Sequence, residues 1–117
     1  MLGIAKGAGG YQSPPPPTDV KVNISPSSFV GVSSNGSYTS PYFRASVSNG
    51  VGPFQYSWSI DEGEILSPSD SKTRFRLSGY NAFKATVLRL TVTDTGDSNK
   101  TASATANVSV SFEDFGL

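Results

Sequence analysis

From residue 18 onward, apolar and polar side chains alternate in short runs separated by turn residues. Val20, Val22 and Ile24 alternate with Lys21 and Asn23 and stop at Ser25-Pro26, the period of a strand with one covered face. Residues 27–41 are rich in Ser and Gly around Phe29, Val30 and Val32, and read as a short edge segment followed by a loop through Ser34-Asn35-Gly36. Phe43, Ala45 and Val47 alternate with Arg44, Ser46 and Ser48, and Asn49-Gly50-Val51-Gly52-Pro53 is a dense turn signal. The clearest run follows: Phe54, Tyr56, Trp58 and Ile60 point one way, Gln55, Ser57 and Ser59 the other. Four large side chains on one face predict a central strand of a two-layer structure.

Asp61-Glu62-Gly63 turns the chain, and Glu64-Ile65-Leu66 is short enough for a brief strand. Thr73, Phe75 and Leu77 then alternate with Lys72, Arg74 and Arg76, and residues 78–83 read as a connection. Leu88, Leu90 and Val92 alternate with Arg89, Thr91 and Thr93 up to the turn Asp94-Thr95-Gly96-Asp97. A last long strand puts Ala102, Ala104, Ala106, Val108, Val110 and Phe112 on one face. Its small alanines predict a close approach of the opposite sheet, under Trp58. No stretch has a helical period. The expected fold is all-β, an antiparallel two-sheet sandwich of about seven strands.

Three blocks resemble the immunoglobulin-like superfamily, and within it the polycystic-kidney-disease (PKD) type of sandwich. They are Gly52-Pro53-Phe54-Gln55-Tyr56-Ser57-Trp58-Ser59-Ile60, Leu90-Thr91-Val92-Thr93-Asp94 with Gly96, and the alternating final strand. The resemblance implies a buried Trp58 in a strand of the sandwich. The chain departs from the family's usual acidic residue after the Trp and its Gly-Asp-Gly turn, having Ser59 and Asp61-Glu62-Gly63.

Composition narrows the function classes. The 117 residues contain no Cys and no His, so disulfide and zinc staples, a thiol nucleophile and an imidazole base are all excluded. Enzymes come last on this ground, and neither a cofactor nor a metal is expected. The nine basic and nine acidic residues cancel, which argues against nucleic acid as a partner. Nor does any apolar run approach the ~20 residues of a membrane span.

The opening residues differ from the rest. MLGIAKGAGG lacks the uninterrupted apolar core of an export signal, and the four prolines of residues 13–17 (SPPPP) form a stiff spacer of roughly 12 Å. The expected layout is an arm over residues 1–12, a linker over 13–17, the sandwich over 18–112 and a tail over 113–117. Leu2, Ile4 and Tyr11 are the side chains with which the arm would grip a partner; a frayed terminus is the plainer alternative. This layout resembles tailed-bacteriophage head decoration proteins, in which a short capsid-binding segment and a linker carry an outward immunoglobulin-like domain. The resemblance implies a non-enzymatic virion protein made in the host cytoplasm. Its partners would be a capsid or tail protein, with weak contact to a host-surface glycan and a homo-oligomer on the particle as further expectations. A carbohydrate-binding or spacer module of a secreted enzyme or adhesin, which would be extracellular, and a tail or baseplate component remain the alternatives.

Within the domain, Lys72, Arg74 and Arg76 stand on one outer face about 7 Å apart. They either guard a sheet edge against pairing or contact an anionic surface, extended by Arg44 and Arg89 if those strands lie alongside. Asp61, Glu62, Glu64, Asp94 and Asp97 read as solvated turn residues rather than calcium ligands. Tyr38, Tyr42 and Tyr80 fall in expected loops, where they could stack on sugars or cap the core.

Overall fold

The structure, a computed structural model, describes residues 19–113, so Leu2, Ile4, Tyr11, the proline run and the tail beyond Glu113 lie outside it. Ten β-segments account for the regular structure among the described residues, and no helix is among them. They are β1 (Lys21–Ser25), β2 (Ser28–Ser33), β3 (Ser37–Thr39), β4 (Phe43–Ser48), β5 (Phe54–Ile60), β6 (Glu64–Ile65), β7 (Lys72–Thr73), β8 (Phe75–Ser78), β9 (Ala82–Asp94) and β10 (Lys100–Phe112). One layer is a four-stranded sheet in the order β2-β10-β9-β5. The other consists of two abutting ladders, β1-β4-β7 and β3-β8-β6. The sandwich predicted from alternation is the fold observed.

Both layers turn one alternating row of apolar residues per strand into a single core. Val22, Ile24, Phe43, Phe75 and Leu77 come from one side, and Trp58, Leu88, Leu90, Val92, Val108 and Val110 from the other. Phe43 and Phe75 are fully buried and lie 5.7 Å apart between ring centroids, with Phe29 set edge-on against Phe43 at 5.8 Å. Such tilted and edge-on pairs satisfy the ring quadrupoles while filling space.

Four features differ from expectation. First, β2 pairs with β10 in parallel, whereas the other ladders are antiparallel. The chain leaves β1 in one layer, crosses at Pro26 and continues forward in the other, so its direction cannot reverse. Second, β5 is an edge strand. Alternation reports that one face is covered; it says nothing of how many neighbours pair in the sheet. Third, Trp58 stands in the same sheet as the alanines, in line with Leu90 and Ala104, and therefore does not lie above them. The strand that comes close to β10 from the other layer is β1.

The fourth is a bulge. The segments β3 and β4 are one strand broken at residues 40–42, and β7 and β8 are its partner broken at Arg74. Thr39 pairs with Arg76 and Phe43 with Thr73, so residues 40–42 face only Arg74 and Phe75. One extra residue is accommodated there, as in a β-bulge. Buried Ser40 holds the distortion: its backbone N–H donates to Phe75 O at 2.9 Å, and its Oγ accepts Phe75 N–H at 2.9 Å. Pro41, which has no N–H to leave unpaired, suits the extra position. What reads in sequence as a loop is therefore a kinked strand.

Candidate functional site

The bulge places four side chains on the outside of the β4–β7 pair. Tyr42 and Arg44 are two apart on one strand, hence on the same face. Lys72 is directly opposite Arg44 in the ladder, and Arg74 lies beside Tyr42. The Lys72 ammonium sits 4.6 Å from the centre of the Tyr42 ring and the Arg74 guanidinium 5.1 Å, both within cation–π range. Arg74 is also anchored through Nε, which donates to Ser40 O at 2.9 Å. Among the described residues its terminal nitrogens make no hydrogen bond.

The charge on this face is not neutralised. Arg44, Lys72 and Arg74 form no ion pair among the described residues, nor does Lys21 on β1, whereas Arg76, Lys84, Arg89 and Lys100 do. Arg76 bonds Glu64 at 3.4 Å, Lys84 bonds Glu62 at 2.7 Å, and Arg89 grips Asp61 through two bonds of 2.8 and 2.9 Å. Lys72 and Arg74 share the Tyr42 ring and Lys72 stands opposite Arg44, so three like charges lie close together and repel one another.

The structure thus separates the three basic residues picked out by spacing. Lys72 and Arg74 stay together and Arg44 joins them; Arg76 continues the same strand face but is paired with Glu64. Arg89 lies in the other layer, on β9, and does not extend the patch. The Asp61 contact raises the Arg89 pKa, while the same hydrogen bond holds the Asp61 carboxyl below its ordinary range. Tyr38 is not in a loop but on β3, half-buried and 6.4 Å from Phe75. Tyr42 belongs to the bulge, and its ring is already taken up with two cations. Tyr80 lies between β8 and β9 with 70% of its surface exposed.

The acidic turns also divide. Asp61, Glu62 and Glu64 are exposed and each holds a cation. Asp94 is no solvated turn residue: it is fully buried. Its Oδ2 accepts Val51 N–H and its Oδ1 Gly52 N–H, both at 2.8 Å. Burial alone would raise its pKa, but the N–H donors of Val51, Gly52 and Gly96 and the charge of Lys100 outweigh this and hold the carboxyl below its usual range. The residues around it leave no room: Gly50 has φ 76°, and a Cβ there would come within 2.6 Å of Asp94 Oδ2. This carboxylate is a structural clasp with both oxygens engaged. Among the described residues no group of three acids comes together as a metal site would require.

A second surface feature lies on the outer face of the four-stranded sheet. A shallow trough of about 430 Å³ runs over Ser109, walled by Val30 on β2 and by Phe83 and Val87 on β9. Its lining holds only apolar, hydroxyl and amide side chains, so it offers contact area without acid–base chemistry.

No protein-family model matches the chain, and no curated protein matches it in sequence. Among solved structures, the PKD domain of human KIAA0319 is similar, with a TM-score of 0.58 and 17% identity over 95% of this chain and 97% of that one. At this identity the likeness establishes the fold: an all-β, immunoglobulin-like sandwich of the PKD type.

Proposed function

We propose that the chain is a non-enzymatic accessory protein that displays its PKD-like domain on a larger assembly and makes its outward contact through the cationic face around Tyr42. The observation that carries this reading is the uncompensated cluster of Arg44, Lys72 and Arg74, in which Lys72 and Arg74 pack on the Tyr42 ring, Arg74 is tied to Ser40 of the bulge, and Arg44 lies opposite Lys72. Preorganised cations with free donors favour carboxylate or sulfate groups, and an acidic glycan presents these at intervals comparable with strand spacing. Individually weak contacts suffice where many copies act together.

The expected result is salt-sensitive binding of an acidic oligosaccharide by the full chain, followed by titration calorimetry or NMR shift mapping. Lys72→Ala and Arg74→Ala should each weaken it roughly threefold to tenfold, in line with losing one charge-assisted contact. Tyr42→Phe should preserve binding, because the ring face rather than the hydroxyl steadies the cations; Tyr80→Ala should leave it unchanged. Equal binding of neutral sugars, or indifference to the Lys72 and Arg74 substitutions, would overturn the assignment.

The setting we propose is a bacteriophage virion, with residues 1–12 as the anchor and 13–17 as the spacer. Its support is the order of segments along the chain: an apolar, glycine-rich peptide, a proline run and then the domain. Removing residues 1–10 should abolish co-sedimentation with particles, and undiminished binding would rule that anchor out. A binding module of a secreted enzyme or adhesin is the second reading, favoured by the same cationic face, and it predicts glycan binding with no dependence on residues 1–10.

A further inference from the structure

The four-stranded sheet is finished differently at its two edges. On β5, Trp58 N–H donates to Pro68 O at 2.9 Å, so the loop that follows plugs that side. No equivalent bond reaches the outer side of β2 among the described residues. The ladder determines which of its groups are free. Ser33 lies opposite Phe112, and Ser33 O accepts Glu113 N–H at 2.9 Å. In a parallel ladder both backbone groups of a residue point to the same side, and successive residues alternate. Phe29, Gly31 and Ser33 therefore bond toward β10, while Ser28, Val30 and Val32 turn their N–H and C=O outward. The side chains of Val30 and Val32 are 73% and 57% exposed. Edge strands are commonly guarded by Lys, Pro or a bulge; the sequence SFVGVS contains none of these.

We propose that β2 is a self-pairing edge: two copies of the chain join β2 to β2 in antiparallel fashion about a two-fold axis at Val30, giving one continuous eight-stranded sheet. Two observations favour a second copy as the occupant. The outward backbone groups at Ser28, Val30 and Val32 are symmetric about Val30, so a reversed copy sets Val30 against Val30 and Ser28 against Val32 with no overhang. That register makes three hydrogen-bonded pairs and roughly six bonds. Charge also permits it: β2 is uncharged, the chain's formal net charge is zero, and the unpaired Arg44, Lys72 and Arg74 lie on the other layer. The troughs over Ser109 would then adjoin across the axis, extending the covered apolar area to Val32 and Val30. The inference is independent of the proposed glycan contact, which uses the opposite sheet.

One edge buries less than the standard interface of about 1,600 Å², so the association is expected to be weak and concentration-dependent. Sedimentation of the full chain should show the average mass rising between about 10 μM and 1 mM. Because Val30 is exposed, Val30→Lys and Val30→Glu should fold normally, and each alone should remain monomeric from like-charge juxtaposition. An equimolar mixture of the two should associate again, since only pairing of residue 30 with itself sets Lys against Glu. Amide exchange on the unmodified chain gives a check without substitutions: Val30 and Val32 should gain protection as concentration rises, while Phe29 and Gly31 are protected throughout. A chain that stays monomeric at about 1 mM, a Val30→Lys variant that associates undiminished, or a mixture that fails to associate would each overturn the proposal.

Discussion

Replacing Trp58 by Ala is expected to cost about 3–5 kcal/mol, a large share of the ~5–15 kcal/mol that a domain of this size possesses. Trp58 is 3% exposed and packs against the apolar rows of both layers. Its indole Nε1 also donates to Asp70 O at 2.7 Å, and its backbone N–H to Pro68 O. The residue therefore ties edge strand β5 to the loop that leads toward β7 in the other layer. Trp58→Phe separates the two contributions. It keeps most of the buried ring but removes the donor, so it should cost only about 1–2 kcal/mol, the range of one lost hydrogen bond with some packing. Urea denaturation of the two variants measures both. Equal losses would mean that the bond to Asp70, rather than packing, dominates.

The second large effect is expected at Asp94. In Asp94→Asn one of the two oxygens becomes an NH₂ group that faces a backbone N–H of Val51 or Gly52, leaving a buried donor without an acceptor. The melting temperature should fall by roughly 10 °C near neutral pH. The loss should depend on pH in a defined direction. The folded-state pKa of Asp94 lies below its unfolded value, so the stabilisation is fully present above the unfolded value, near about pH 4, and is lost as pH falls through the folded value. The gap between Asp94→Asn and the unsubstituted chain should thus be widest above about pH 5 and close as acidification passes below the unfolded value and through the lowered folded one. Asp61, also lowered, contributes in the same window, but it is present in both proteins and cancels in the difference. A gap that widens on acidification would contradict the clasp.

Much of this was legible in the sequence, and the reasons are specific. Strict alternation in β1, β4, β5, β10 and the second half of β9 identified those strands and the residues of the core, because burial of one face leaves a period of two; β9 itself begins earlier, at Ala82, within the stretch that reads as a connection. The burial of Asp94 could have been read by the same rule. Leu88, Leu90 and Val92 face inward, and Asp94 is the next even position, with the glycine-rich turn at residues 49–53 supplying donors. By that parity Asp94 belongs to the core row and not to the turn that follows it. The bulge was less accessible: Ser-Pro-Tyr resembles a loop, and only the ladders on either side show a single strand with one residue too many. The fate of each cation was not accessible either. Lys72, Arg74 and Arg76 look equivalent by spacing, and the difference between them arises from β6, which brings Glu64 beside Arg76 alone.

The parallel course of β2 and β10 has a mechanical consequence. The described chain enters at one pole, where Lys100 bonds Asp19 at 2.9 Å, and leaves at the other, where Glu113 meets Ser33. A pull applied through the two ends would slide β2 lengthwise along β10 and β1 along β4, straining all the bonds of each ladder at once instead of unzipping them singly. A body loaded in shear yields at higher force than one that is peeled, so the domain should resist a pull applied between its two ends.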